Sequence, residues 1–453
     1  MPFVAINPEN GQRLGELPNH SHGEVQARIT AAHAASRSWR QAPLAERADT
    51  LRAIAARLDA QAEPLARLMA DEMGKPFTQG VGEAKKCAWA CRYYAEHAPG
   101  WLAAEPAQTE AIRSYTRRDA LGVILAIMPW NFPFWQVFRF ASAALMAGNT
   151  ALIKHAPNTP HCGEAIETLL REAGAPPLLL NLRVEVDEVG AIIADDRVAA
   201  VTLTGSTAAG QAVGALAARH LKRAVLELGG SDPCIILADA DLDRAATVAA
   251  ASRLLNNGQS CIAAKRFLVE RAVAEEFTER FAAAMASHTQ GPPRSPDTKL
   301  GPMARLDLRD AIHRQVLSSV AEGAVVRLGG ELPEGPGFWY PATLLTHCQD
   351  GMPAWDEETF GPVAALRVVD SAEEAVELAN RSPYGLGAAL WTADRERAEA
   401  LAGRLECGAV FVNELVKSDP RLPFGGVKRS GYGRELGQLG LYEFVNHKGV
   451  WVS

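Results

Sequence analysis

Several protein classes are excluded by what this chain lacks. It has no apolar run near the roughly 18 residues that a membrane-spanning helix requires. Its N-terminus, MPFVAINPENGQRLGELP, does not have the basic-then-apolar layout of a secretory leader. It has no surplus of positive charge: Lys+Arg 46 against Asp+Glu 53 give a formal net charge of -7, whereas nucleic-acid and anionic-membrane binders usually carry a basic footprint. A cysteine framework is missing as well. Cys87, Cys91, Cys162, Cys234, Cys261, Cys348 and Cys407 are odd in number and scattered. Only Cys87 and Cys91 stand one helical turn apart, with no second pair at zinc spacing. Reduced thiols, no metal site, no nucleic-acid or membrane partner and a cytoplasmic location are therefore expected. Repeats and low-complexity tracts are also absent. What remains is ordinary globular composition, 48% apolar and 22% charged over 453 residues, enough for about three domains at roughly 150 residues each.

Patterning orders the chain. Residues 1–18 read as two short extended pieces joined at the turn signal Pro8-Glu9-Asn10-Gly11. From about 23 to 105 the periodicity is helical: Leu51, Ile54, Ala55 and Leu58 fall on one face, and 24–41 and 80–97 read similarly. An extended stretch over 112–128 runs into Pro129-Trp130-Asn131-Phe132-Pro133. Beyond that corner, short apolar runs (151–154, 198–203, 224–228, 234–237) alternate with helical patterns over 160–173 and 208–221. Further apolar pieces follow at 267–270, 364–369, 387–392 and 409–413. Such alternation predicts an α/β fold, with parallel sheets covered by helices. The tail, YEFVNHKGVWVS, reads as a strand.

Four stretches carry candidate chemistry. In Asn257-Gly258-Gln259-Ser260-Cys261, a cysteine, whose thiolate is a strong nucleophile, sits in a loop too polar for a simple core run. Glu227 is a lone carboxylate in the apolar run AVLEL, where lost hydration raises its pKa toward the range of a general base. A strand-end glutamate facing water fits the same pattern. Thr204-Gly205-Ser206-Thr207 follows a strand and opens a helix, so its amides can meet a phosphate. An ordinary βα turn reads alike, and no G-x-G-x-x-G spacing is present. Two prolines fix the corner around Asn131, whose amide is a candidate oxyanion donor worth about 3–4 kcal/mol in a transition state.

In combination these stretches resemble the aldehyde dehydrogenase superfamily over essentially the whole chain. The matching motifs are MPWNFP (128–133), LIKHAP (152–157), LTGSTAAG (203–210), LELGGSDP (226–233), NNGQSCIAAKRF (256–267), EETFGPV (357–363), SPYGLGA (382–388) and LPFGGVKRSGYGRELG (422–437). The resemblance implies three parts. A Rossmann-like cofactor domain would comprise 1–105 and 121–229, and an α/β catalytic domain 230–428. A small β-strand oligomerisation extension would combine 106–120 and 440–453, pairing across the interface of a homodimer or homotetramer.

The resemblance also implies NAD(P)-dependent oxidation of an aldehyde to a carboxylic acid. Cys261 would attack the carbonyl carbon, Asn131 and the Cys261 backbone N–H would hold the oxyanion, and Glu227 would activate the water that hydrolyses the thioester. Glu358 would bond the nicotinamide ribose, with Phe360 beside the ring. Trp130 and Lys154 would face the adenosine half, and Gly205 and Ser206 the pyrophosphate. Of the alternatives, an acylating relative would lack Glu227, and a Cys-His hydrolase would need a histidine partner that no motif marks.

Departures from the family pattern shape the finer expectations. Many NAD-preferring members carry a glutamate where Pro157 stands, so both NAD and NADP are expected, with NADP at least competitive. Arg139, eight residues after Asn131, occupies a position where relatives acting on succinate semialdehyde carry arginine. Gln136 and Ser418 are expected beside it. KHAP, LGGSDP and CIAAKRF are worded most like the bacterial succinate-semialdehyde dehydrogenase branch, which implies a carboxylate-bearing aldehyde. Leu255 replaces a second arginine common there, leaving Arg253 or Arg421 as candidates to assist Arg139. Ala263 stands where some relatives carry a second cysteine, so no disulfide switch with Cys261 is expected.

Overall fold

A computed structural model describes residues 2–453; Met1, assigned above to the first extended piece, lies outside them. The two N-terminal pieces form an antiparallel hairpin, Phe3–Ile6 against Arg13–Leu17. Four helices follow: His22–Trp39, Leu44–Ala60, Ala62–Met73 and Phe77–Leu102. The first starts in a capping box, with Ser21 and Glu24 satisfying each other's exposed amides.

Two sheets carry the fold. The first has six strands in the order Gly431–Tyr432, Arg223–Glu227, Val198–Thr204, Val123–Ile127, Thr150–Lys154, Leu179–Asn181. All its pairings are parallel except that of the short Gly431–Tyr432 strand. The second has seven, in the order Val325–Leu328, Thr343–Thr346, Val363–Val369, Ala264–Glu270, Asp232–Ile236, Gly387–Trp391, Ala409–Val412.

The apolar runs look continuous because both faces of each sheet are covered. Ile124 and Ala126 pack into the core beneath the helices Leu44–Ala60, Phe77–Leu102 and Trp135–Met146. Their neighbours Val123 and Leu125 pack on the opposite face with Ile29 and Val213. The second sheet repeats this two-residue alternation, with Cys234 and Ile236 on one side and Ile235 and Leu237 on the other.

The stretch over 112–128 is not one strand. Gly122, at a φ of 136°, breaks it into Arg113–Ala120 and Val123–Ile127, which enter different sheets. Arg113–Ala120 pairs with Glu105–Pro106 and with Val445–Val452, making a separate three-stranded antiparallel sheet. The tail is a strand only from Val445, because Gly437–Tyr442 forms a short helix first.

Chain direction places the site. In the first sheet the order steps from Val123–Ile127 to one side, then returns to Val198–Thr204 on the other. Ligands of open parallel sheets bind outside the carboxyl ends of strands at such a reversal. The segments leaving those ends contain Asn131, Lys154, Gly205 with Ser206, and Glu227. Leu228 to Ser231 then carries the chain straight into the second sheet, whose strand Ala264–Glu270 is preceded by Cys261. Leu228 to Ser231 thus leads from the carboxyl edge of one sheet to the amino edge of the other.

Candidate active site

The loop before Cys261 is locked in an unusual backbone shape. Asn256, Asn257 and Gly258 take successive φ values of 54°, 59° and 73°, a left-handed run that asparagine tolerates better than most residues and glycine adopts without cost. Side-chain amides hold the run. Asn256 Nδ2 donates to the Asn131 carbonyl at 2.7 Å, and Asn257 Nδ2 donates to the carbonyls of Gly74 and Pro302 at 2.8 and 2.9 Å. Arg253, fully buried, donates to the carbonyls of Gly258 and Ala264. Lys265 Nζ donates to the Ser260 and Cys261 carbonyls at 2.9 and 2.8 Å. Gly230 lets the loop close: a Cβ there would lie 2.9 Å from the Cys261 carbonyl oxygen.

Asn131 meets this loop directly. Its Nδ2 donates to the Gln259 carbonyl at 3.1 Å, which engages one of its two amide hydrogens. The corner is fastened from behind by a buried ion pair, Lys75 with Glu83. Lys75 Nζ also donates to the Asn131 carbonyl at 3.0 Å. Glu83 Oε1 accepts from the amides of Phe134 and Trp135, both at 2.9 Å, at the start of the helix Trp135–Met146. Neither Lys75 nor Glu83 belongs to a sequence motif noted above.

Glu227 is buried, and neither carboxylate oxygen has a hydrogen-bond partner. Burial drives its pKa well above the ordinary carboxylate value, with Arg139 opposing the rise and Glu435 adding to it. It does not face water. Burial likewise raises the Cys261 thiol to about 11, with Arg139 and Lys265 pulling it down.

The charge of Arg139 acts on both of these groups, and its guanidinium is already engaged. Its guanidinium is ion-paired with Glu435, donates to Thr204 Oγ1 at 3.1 Å and lies 4.5 Å from the Phe424 ring centroid. The charge expected to meet a substrate carboxylate is already matched inside the protein. The suggested assistants do not help either. Arg253 is consumed by the loop carbonyls, and Arg421 is paired with Asp419.

A cavity of about 270 Å³ opens beside Cys261. Gln136, Arg139 and Ser418 line it as expected, together with Lys86 and Trp135, which sequence reasoning passed over. On the cofactor side the expected residues fall into separate groups. Trp130 and Phe360 are in edge-to-face contact at 5.8 Å. Glu358 accepts from the Gly230 amide at 3.0 Å and stands 3.8 Å from Lys265 Nζ. Ser206 caps the helix Thr207–Arg219. Lys154 is buried at its strand end, its ammonium 5.8 Å from the Phe3 ring centroid. Pro157 lines an open groove with Asn158 and Arg305. All seven cysteines are free thiols, and the described residues hold no cluster of three or more side chains arranged for a metal.

A half-buried thiol that opens into a cavity, on a loop tied to an amide corner, is an arrangement that suits a cysteine-dependent enzyme. The chain belongs to the aldehyde dehydrogenase family, whose model matches residues 2–450. It is 48% identical to a probable NADP(+) succinate-semialdehyde dehydrogenase of Synechocystis sp., over 100% of both chains. It is also 48% identical to the NAD(P)+ succinate semialdehyde dehydrogenase of Escherichia coli, over 99% of this chain and 97% of that one. Among solved structures, succinic semialdehyde dehydrogenase from Streptococcus pyogenes in complex with NADP+ superposes with a TM-score of 0.97 at 36% identity, covering 99% of each chain.

Proposed function

We propose that this chain oxidises succinate semialdehyde to succinate with NADP or NAD as hydride acceptor. One observation carries the reading: the Cys261 thiol opens into a cavity whose wall also holds an ammonium and a serine hydroxyl, at Lys86 and Ser418. That wall suits an aldehyde with an anionic tail, and the relatives named above act on such a substrate.

The carboxyl edge of the first sheet fits a dinucleotide. Ser206 Oγ accepts from the Ala209 amide, leaving the amides of Thr207 and Ala208 at the positive end of a 13-residue helix for a phosphate. Burial lowers the pKa of Lys154, with Glu185 near enough for its carboxylate to oppose the fall, and Pro157 brings no charge to repel a 2′-phosphate. When bound, the nicotinamide accepts the hydride.

The protein's groups do the rest. Cys261 Sγ forms a bond to the aldehyde carbon as its proton passes to solvent water, and the carbonyl oxygen becomes an oxyanion. The second amide hydrogen of Asn131 and the Cys261 backbone N–H hold that charge. Departure of hydride from carbon leaves a thioester on Cys261. Glu227 then takes a proton from water as its oxygen attacks the thioester carbon. The C–S bond breaks, and Glu227 passes that proton to the departing sulfur, so that acid and thiol are restored.

The test is an aldehyde panel run with both cofactors in parallel. Succinate semialdehyde is expected to give the highest kcat/KM, and NADP to be at least competitive. A preference for NAD above about a hundredfold, near 2.7 kcal/mol, would refute the cofactor reading.

Two coarser features extend the proposal. No helix among the described residues is long and apolar enough to cross a membrane, and with seven free thiols a cytoplasmic location is consistent. The strand Val445–Val452 lies at an edge of its sheet with Trp451 57% exposed. Unpaired edges favour strand addition, so a homodimer or homotetramer is expected. A monomer mass by light scattering would refute that.

A further inference from the structure

We propose that Lys86, acting with Ser418, is the residue that receives the distal carboxylate of the substrate, in place of Arg139. This rests on the carboxylate-bearing substrate proposed above and assigns the group that recognises it.

The argument begins with what each cation already touches. Arg139 is buried against Glu435 and Thr204. Bringing a substrate anion to it would set that anion beside an existing carboxylate. Lys417, also in the cavity wall, is exposed and lies 3.5 Å from Glu414. Lys86 differs from both, because it has no carboxylate within ion-pair distance among the described residues. Its ammonium lies 4.2 Å from the Trp135 ring centroid and donates to Ser418 Oγ at 2.8 Å.

Ser418 completes the case. Its oxygen also accepts from Trp135 Nε1, at 3.0 Å. With two donors on the oxygen, the hydroxyl hydrogen is left to donate. Lys86 has two further N–H groups of its own. An ammonium and a hydroxyl, both with donors to spare and both in the wall that includes Cys261, form a built receptor for a carboxylate. A neutral aldehyde tail would leave them unused. The indole beneath Lys86 fixes its direction by a cation–π contact.

The ammonium's surroundings predict a pH signature. Burial lowers Lys86 to about 8; Arg139 adds repulsion, and Cys87, Glu83 and Asp419 oppose it. Those groups and Lys417 are the charges that face it. The ratio of kcat/KM for succinate semialdehyde to that for butanal cancels ionisations common to both substrates, such as those of Cys261 and Glu227. It should fall as pH rises past about 8, where Lys86 loses its proton.

The experiment compares the wild-type enzyme with Lys86→Met and Lys86→Arg, using succinate semialdehyde and butanal. Losing charge-assisted hydrogen bonds predicts that Lys86→Met lowers kcat/KM for succinate semialdehyde by about tenfold to a hundredfold. The change should lie mainly in KM, with kcat and butanal turnover little altered. Lys86→Arg should recover part of the loss, and the pH dependence of the ratio should vanish in Lys86→Met. Equal losses with both aldehydes, or full retention of the preference for succinate semialdehyde, would overturn the role of Lys86 while leaving the substrate reading intact. A wild-type enzyme that does not prefer succinate semialdehyde over butanal would overturn the substrate reading, and this proposal with it. If Lys86→Met does not fold, the wild-type ratio decides alone: a flat profile from pH 7 to 9.5 refutes the assignment.

Discussion

Glu227→Gln is expected to leave one turnover intact and to stop the second. The substitution keeps shape and volume in a fully buried place but removes the carboxylate proposed above to take a proton from water. General-base contributions are typically worth a hundredfold to about ten-thousandfold, and the steady-state rate should fall within that range. A rapid burst of reduced cofactor, close to one equivalent per chain, should survive, because hydride transfer precedes hydrolysis. Mass spectrometry of quenched enzyme should then find the acyl group on Cys261. A burst lost in proportion to the steady state would place Glu227 earlier, at deprotonation of the thiol. That outcome has physical grounds as well, since burial holds Cys261 near 11 and some group must accept its proton at neutral pH.

The second large effect is expected at Arg139. Arg139→Leu leaves Glu435 buried without its cation, close to a second buried carboxylate at Glu227. Removing one partner of a buried pair typically costs about 3–5 kcal/mol, so a clear drop in the denaturation midpoint should follow. Activity should fall with succinate semialdehyde and butanal alike, because the damage reaches the reacting groups and not the tail of the substrate. A loss at least tenfold larger with succinate semialdehyde, at unchanged stability, would restore the carboxylate-clamp role that sequence resemblance implied. The contrast with Lys86→Met is the informative part: the proposal has one cation serve the chemistry and the other serve recognition.

What could be read from sequence follows the range of the interactions involved. Cys261, Glu227 and Asn131 stand in short motifs whose shape is decided by their neighbours, and Asn131 bonds directly to the loop that carries Cys261. The sheet strands were legible for the same reason, since two covered faces turn each into a plain apolar run. Arg139 lines the cavity, but its partner Glu435 lies 296 residues away, and no local pattern announces such a pair. Lys86 was passed over because the surrounding stretch shows only helical periodicity. Its meaning comes from Ser418, 332 positions further on. One signal was available: Glu83, Lys86 and Cys87 fall on a single helical face, and two of the three are buried. Gly122 shows the opposite failure, where a single residue with positive φ divided what patterning treated as one strand.

The left-handed run at Asn256, Asn257 and Gly258 has a consequence for how such an enzyme diverges. It anchors the nucleophile to Gly74, Asn131 and Pro302, none of which touches the Lys86–Ser418 side of the cavity. The loop that carries Cys261 and the Lys86–Ser418 wall therefore have largely separate anchors, joined through Glu83 and Trp135. If the proposed roles hold, substitutions around 86 and 415–418 would exchange one aldehyde for another while the Cys261 loop keeps its position. Descendants of this scaffold can change diet without relearning the reaction.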